Sequence, residues 1–190
     1  MKKIAVYCSS SDQIKDAYFQ QAELTGQLMA KADLGLVYGG GMVGLMGQVA
    51  RSLKAAGGHT IGVVPEALHI EGVVNTIDDE LIVTADMHTR KAKMIELADG
   101  FIGLPGGFGT LEEMLEVMTL KQLGYHEKPI VFLNADGYYS HLFEMFEHIY
   151  DENFAKAEYR QLYHISETPE DAMAYLNNYQ PPALPDKWFV

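Results

Sequence analysis

A glycine-rich stretch at 103–110 carries the clearest chemical signal in this sequence. It consists of Gly-Leu-Pro-Gly-Gly-Phe-Gly-Thr, which ends a predicted strand and opens a predicted helix near Thr110. Glycines let a ligand approach the backbone closely, and the amides at a helix N-terminus attract an anion. The Gly-Lys-Ser/Thr ending of a P-loop does not follow, which disfavours a triphosphate with magnesium. The stretch therefore predicts a site for a single phosphate.

Two carboxylates, Glu112 and Glu113, follow this stretch and have two interpretations. In the structural one, Thr110 is the N-cap and Glu113 the N3 residue of a capping box. In the functional one, the carboxylates lie about as far from the phosphate as a ribose does. Breaking an N-glycosidic bond builds positive charge on the sugar, and a nearby carboxylate stabilises that charge and helps to activate water.

A basic residue, Arg90, lies on an apolar helical stripe. The predicted helix has Asp86 as a plausible N-cap, and one of its faces carries Met87, Arg90, Met94 and Ala98. Lys91 flanks the same stripe. A charge in that position needs a partner. A snorkelling arginine or a structural ion pair is one explanation; an arginine that reaches a phosphate or a catalytic carboxylate explains the placement better.

An earlier glycine turn follows the second predicted strand and contains Gly39, Gly40, Gly41 and Gly44. Gly39, Gly41 and Gly44 match the dinucleotide pattern G-x-G-x-x-G, which is a weak signal alone. An acidic residue about 20 positions on would support it, but the next carboxylate at a strand end is Glu66. A tight turn with close helix–strand packing is the alternative.

The elements that must position these residues alternate between strands and helices, which predicts an α/β fold. We expect one Rossmann-like, doubly wound parallel sheet with helices on both faces, in a domain over 1–180 with a tail at 181–190. Strands are predicted at 3–8, 34–38, 60–64, 81–84, 100–104 and 129–133, with a weaker one at 163–165. Helices are predicted at 13–32, 43–57, 87–98, 110–124, 139–150 and 169–178.

Composition limits the classes of partner. The formal net charge of −12 argues against nucleic acid and anionic membranes as partners. The single cysteine, Cys8, suits a reducing compartment, so we expect a cytoplasmic protein in which Cys8 is a buried apolar residue. No apolar run is long enough to span a membrane, and the histidines lack metal-ligand spacing, so we expect no metal site.

Two separated motifs resemble a known family. Met-His-Thr-Arg-Lys at 87–91 and Pro-Gly-Gly-Phe-Gly-Thr-Leu-Glu-Glu at 105–113 are similar to the M-H-x-R-K and P-G-G-x-G-T-x-x-E signatures of the LOG ("Lonely Guy") proteins. These are cytokinin riboside 5′-monophosphate phosphoribohydrolases, often mislabelled lysine decarboxylases. The resemblance extends over nearly the whole chain.

The resemblance implies a Rossmann-like homodimer, without metal or redox cofactor, that cleaves nucleoside 5′-monophosphates such as AMP or N6-modified AMP. It implies that Arg90 and Glu113 are the catalytic pair. The substrate-binding residues that it implies are Glu71, Met87, Lys91, Gly106, Gly107, Phe108, Gly109, Thr110, Leu111, Glu112 and Thr119. A non-catalytic nucleotide or molybdenum-cofactor carrier and a dinucleotide-dependent oxidoreductase are the alternatives; the latter is weakened by the missing ribose-binding acid.

Overall fold

A single parallel sheet forms the centre of the protein. The computed structural model describes residues 1–185. Its seven strands are β1 Lys2–Tyr7, β2 Leu34–Tyr38, β3 Thr60–Pro65, β4 Glu80–Thr84, β5 Gly100–Gly103, β6 Ile130–Leu133 and β7 His164–Ser166. They lie in the order β4-β3-β2-β1-β5-β6-β7, and every pairing is parallel. The predicted α/β fold with a parallel sheet is confirmed.

Helices cover both faces of the sheet, because the central strands are apolar on both sides. The helices are α1 Asp16–Lys31, α2 Gly44–Ala55, α3 Met87–Leu97, α4 Phe108–Gln122, α5 Ser140–Asp151 and α6 Pro169–Asn178. One core joins α1, α2 and α6 to the sheet, and a second core joins α3, α4 and α5 to its other face. Alternate residues of β1 divide between the cores: Ile4 faces the first and Ala5 the second. Three short 3₁₀ helices complete the elements, at Glu66–Leu68, Ala135–Gly137 and Ala157–Leu162.

Most predicted boundaries lie within two residues of the observed ones, and two helix starts differ by two residues or more. The first helix begins at Asp16 rather than at residue 13, because 12–14 form a bend in which the Gln13 amide donates to Ser11 Oγ. The fourth begins at Phe108, two residues before Thr110. The predicted tail at 181–190 has no regular secondary structure as far as Pro185, and 186–190 lie outside the described residues. No helix within 1–185 combines the length and the apolar character needed to cross a membrane.

The strand order reverses beside β1, and this places a crevice next to that strand. β2 lies on one side of β1 and β5 on the other. In open α/β sheets, ligands bind at the carboxyl ends of the strands, at such a switch point. The loops after β1 and β5 are joined there, since the Ser9 amide donates to the Pro105 carbonyl at 3.1 Å. The Gly103–Thr110 stretch thus follows a strand at the switch point.

Candidate active site

A cleft of about 390 Å³ opens at this switch point. It lies between the loop after β1, the start of α3 and the start of α4. Its lining residues are Cys8, Ser9, Ser10, Ser11, Met46, Met87, Arg90, Gly107, Gly109, Thr110, Glu112 and Glu113. The structure therefore brings the two predicted motifs, 87–91 and 105–113, to one site.

The N-terminus of α4 faces this cleft with free amides. Gly107 is the N-cap and has no side chain with which to cap the helix. The first backbone hydrogen bond into α4 runs from the Leu111 amide to the Gly107 carbonyl, at 3.1 Å. The amides of Phe108, Gly109 and Thr110 precede it and donate to no group within the described part of the chain. Such amides, with the helix dipole behind them, form an anion-binding site.

This geometry corrects the capping-box interpretation of Thr110 and Glu113. Thr110 is the third residue of α4 and not its N-cap, and Glu113 lies one turn further along the helix. A threonine followed three residues later by a glutamate matches the local pattern, but the glycines let the helix begin two residues earlier. The carboxylate of Glu113 is therefore free to make a different contact.

Packing fixes the loop that leads into α4. The Gly106 carbonyl accepts a hydrogen bond from the Tyr138 hydroxyl at 2.7 Å. A β-carbon on Gly106 would overlap the side chain of Thr110, which is only 5% exposed, so the loop passes directly over that side chain. Gly107 and Gly109 have open space where a β-carbon would be. Only these last two glycines leave room for a ligand beside the amides.

A buried ion pair joins α3 to α4 at the floor of the cleft. Arg90 Nη1 donates to Glu113 Oε1 at 2.9 Å, and Arg90 Nε donates to the Val63 carbonyl at the same distance. The two side chains are 10% and 12% exposed. The start of α3 is fixed by a capping box between Asp86 and Thr89, which confirms Asp86 as the N-cap. Arg90, Met94 and Ala98 are buried, as the apolar stripe predicts, whereas Met87 at the start of the helix is 45% exposed.

Burial disfavours negative charge on this floor. It raises the pKa of the Glu113 carboxyl above its usual range, while the neighbouring Arg90 charge acts in the opposite direction. Burial, and secondarily the Glu113 charge, also raise the pKa of the Tyr7 hydroxyl and of the Cys8 thiol. Cys8 is buried, as predicted, and both groups are neutral at physiological pH. Glu113 thus depends on Arg90 for its ionised form.

A second set of charges lies beside the first. Lys91 Nζ donates to Glu112 in a short hydrogen bond and is 3.1 Å from Glu116 Oε2. The hydrogen bond to Glu112 is the main reason that the pKa of Lys91 is raised. Lys91 does not line the cleft itself. It links α3 to α4 through two carboxylates and orients Glu112, which lines the cleft.

The earlier glycine turn has no open amides at the start of α2. The Gly44 amide donates to Asp12 Oδ1 at 2.7 Å, and the Leu45 and Met46 amides donate to the Ser9 carbonyl at 2.9 and 3.4 Å. Gly40 and Gly44 have φ values of 70° and 63°, which favour glycine. Within the described residues, these amides are therefore occupied by the loop after β1 rather than left for a phosphate.

Several residues implied by the family resemblance lie away from the cleft of their own chain. Glu71 is exposed within the segment 69–78, and Thr119 lies beyond the cleft on α4 with its hydroxyl donating to the Leu115 carbonyl. Phe108 is 93% exposed, and Leu111 packs against the second core. Their roles in binding remain predictions.

Five residues that line the cleft were not assigned to the site from the sequence: Cys8, Ser9, Ser10, Ser11 and Met46. The position of the serines could have indicated a role in the site, since they follow the first strand and ligands bind after strands at a switch point. What the sequence did not show is that β1 and β5 are neighbours, which places these serines opposite Gly107–Thr110. Within 1–185, no three His, Cys, Asp or Glu side chains converge in an arrangement that could hold a metal ion.

The fold and site together define a class: a Rossmann-like α/β protein with an open helix N-terminus beside a buried arginine–glutamate pair. Residues 46–176 match a family model described as "Possible lysine decarboxylase". The chain is 40% identical over 180 residues to the cytokinin riboside 5′-monophosphate phosphoribohydrolase LOG5 of Arabidopsis thaliana, covering 95% of this chain and 79% of that protein. It is 41% identical to the probable enzyme LOGL6 of Oryza sativa, covering 95% and 72%. The chain belongs to this family of LOG proteins.

Solved structures show the same fold at lower identity. A molybdenum cofactor binding protein from Rippkaea orientalis superposes with a TM-score of 0.72 at 24% identity, covering 93% of this chain and 96% of that one. The molybdenum cofactor carrier protein of Chlamydomonas reinhardtii gives 0.69 at 22% identity, covering 93% and 96%. These similarities confirm the Rossmann-like fold.

Proposed function

We propose that the protein hydrolyses the N-glycosidic bond of a nucleoside 5′-monophosphate and releases the free base and ribose 5-phosphate. AMP and N6-modified AMP, such as a cytokinin riboside monophosphate, are the proposed substrates. The observation that carries the proposal is the Arg90–Glu113 pair in one cleft with the open N-terminus of α4. The named activity of relatives about 40% identical over 95% of the chain supports it.

The phosphate of the substrate binds at the start of α4. The amides of Phe108, Gly109 and Thr110 supply hydrogen-bond donors, and the helix dipole favours the negative charge. The formal net charge of −12 would repel an anion elsewhere on the surface, so binding depends on this local group of donors. The phosphate then fixes the position of the ribose along the cleft.

Cleavage requires stabilisation of a positively charged sugar. As the C1′–N bond breaks, its electron pair leaves with the base and an oxocarbenium-like centre forms on the ribose. The Glu113 carboxylate stabilises this charge, because charge interactions are stronger at a buried group and this side chain is only 12% exposed. A water oxygen then bonds to C1′, and the proton that the water loses balances the one gained by the base. Arg90 keeps Glu113 ionised and oriented.

The proposal includes a homodimer. The outer side of α4 carries Leu115, which is 40% exposed, and an apolar groove beside it is lined by Thr119, Ile149 and Ala155. A second copy packed on this side would cover these residues and bring Thr119 into an interface. Sedimentation should show a dimer, and Leu115→Glu should weaken it. The single buried cysteine supports a cytoplasmic location.

Base release tests the proposed activity directly. The protein is incubated with AMP, isopentenyl-AMP, adenosine and ATP, and free base is measured by chromatography. We expect release from the monophosphates and little from the nucleoside or the triphosphate. Equal cleavage of adenosine would remove the phosphate-anchoring argument. Monophosphate binding without any release of base would favour the alternative, a non-catalytic carrier.

A further inference from the structure

The Arg90 guanidinium contacts the earlier glycine turn as well as Glu113. Its Nε and Nη1 atoms are held by the Val63 carbonyl and by Glu113. Its remaining nitrogen, Nη2, lies against Gly39, the first residue after β2. A β-carbon at Gly39 would overlap Nη2 and lie 3.6 Å from Arg90 Cζ. The absence of a side chain at residue 39 therefore leaves the space that the guanidinium fills.

We propose that Gly39 is a positioning residue for the reaction, because it admits the Arg90 guanidinium to the place where it aligns Glu113. This inference rests on the proposed function for its effect on turnover, but the contact itself does not. Gly39 lies 51 positions before Arg90, and only the packing of α3 beside the end of β2 brings them together. The glycine turn thus acts on the catalytic pair instead of on a phosphate.

The backbone at Gly39 does not itself require glycine. Gly40 and Gly44 have positive φ values, and Gly39 is not among the described residues that do. An alanine can adopt its conformation. The atoms that an added methyl would meet belong to flexible side chains, Arg90 and Met46, whose Sδ would lie 3.0 Å away. The chain should therefore fold with Gly39→Ala while the guanidinium is displaced.

Turnover of Gly39→Ala is compared with that of Gly41→Ala, a matched control in the same turn. A β-carbon at Gly41 would lie 3.3 Å from Met46 Cε and would not meet Arg90. Displacing a catalytic pair by about 1 Å costs on the order of 100-fold in rate. We expect a loss of that size in kcat for Gly39→Ala and less than about threefold for Gly41→Ala, within the ordinary effect of a surface-turn substitution. Equal losses in the two variants would overturn the proposal.

Unfolding in urea tests the contact without any assay of activity. In the wild-type background, Gly39→Ala should lower the urea midpoint, because the displaced guanidinium leaves the buried Glu113 without its partner. In the Arg90→Ala background, the same substitution should lower the midpoint much less, because the Arg90 atoms are absent and only the contact with Met46 Sδ at 3.0 Å remains. An equal shift in both backgrounds would show that Gly39 serves backbone packing alone, and would overturn the proposal.

A second Arg90 variant and the activity of the wild-type protein distinguish a failure of this inference from a failure of the proposed function. If Arg90→Ala does not fold, Arg90→Gln provides the second background, since its shorter side chain does not extend to Gly39. If the wild-type protein cleaves no monophosphate, the proposed function fails, while the urea comparison still reports on the contact of Gly39 with Arg90. If the effect of Gly39→Ala on the urea midpoint depends on Arg90 but the protein has no turnover, the contact is confirmed and the positioning role of Gly39 in catalysis is overturned.

Discussion

Replacing Glu113 with glutamine tests the proposed chemistry most directly. The substitution keeps the shape of the side chain and removes its charge. Without a carboxylate beside the developing oxocarbenium ion, the transition state loses its main electrostatic stabilisation. Removal of one such group costs about 10²- to 10³-fold in kcat, or about 3–4 kcal/mol. The measurement is release of free adenine from AMP under saturating conditions.

The same substitution should change stability little. Removing one partner of a buried ion pair can cost about 3–5 kcal/mol. Here the amide oxygen of glutamine still accepts from Arg90 Nη1, so the hydrogen bond at 2.9 Å can persist. Burial also raises the pKa of Glu113, which means that its charged form is already disfavoured by the fold. We therefore expect a loss of about 1 kcal/mol or less.

A matched substitution separates charge at the site from charge in general. Glu96→Gln changes an exposed glutamate on α3 that pairs with Lys93 at 2.9 Å, away from the cleft. It should leave both kcat and the unfolding free energy close to wild type. A Glu113→Gln protein that retains more than about a third of wild-type kcat would refute the reasoning, since no effect of the size expected for a lost charge would remain.

Three further predictions follow from particular residues. Gly109→Ala should fold normally, because its methyl meets open space. It should raise KM for AMP by about 10- to 100-fold, as expected when a charge-assisted hydrogen bond to the phosphate is lost. The reaction with adenosine, which has no phosphate, should not be affected. Arg90→Ala should move the carboxyl titration of Glu113, followed by ¹³C NMR, to higher pH, because the Arg90 charge lowers that pKa; an unchanged midpoint would contradict the pairing. Burial lowers the pKa of Lys121 to about 8. Above that pH the folded chain has released the Lys121 proton while the unfolded chain still binds it. The free energy of unfolding therefore rises with pH until the lysine of the unfolded chain also titrates. Lys121→Met should flatten this slope in urea unfolding measured at several pH values; an unchanged slope would be evidence against a buried, perturbed lysine.

The sequence predicts the fold well because its strands are short, apolar runs between strongly patterned helices. Runs such as Ile130–Leu133 have apolar residues at consecutive positions, which is typical of strands in a sheet buried on both faces. Arg90 could be singled out for a related reason: a charge on the apolar stripe of a helix requires a buried partner. In both cases the local sequence pattern is sufficient to predict the strand or the buried arginine.

The remaining features depend on which strands are neighbours. The contact of Gly39 with Arg90 requires the end of β2 to lie beside α3, and no local pattern encodes that. Ser9–Ser11 join the site only because β1 pairs with β5. The helix start at Phe108 was missed for the opposite reason, since Thr110 and Glu113 match a local capping pattern that the preceding glycines override.

The Asp12 carboxylate has a consequence for which ligands the crevice accepts. A dinucleotide presents two linked phosphoryl groups, and the two glycine turns, which follow β2 and β5 on either side of β1, would offer them two binding positions. At the first position the protein's own Asp12 carboxylate accepts the hydrogen bond of the Gly44 amide, in the place where a ligand phosphate would bind. Within residues 1–185, the amides at the start of α4 donate to no other group. Because the Gly44 amide is occupied by this internal carboxylate, we expect the crevice to favour molecules with one phosphoryl group over dinucleotides.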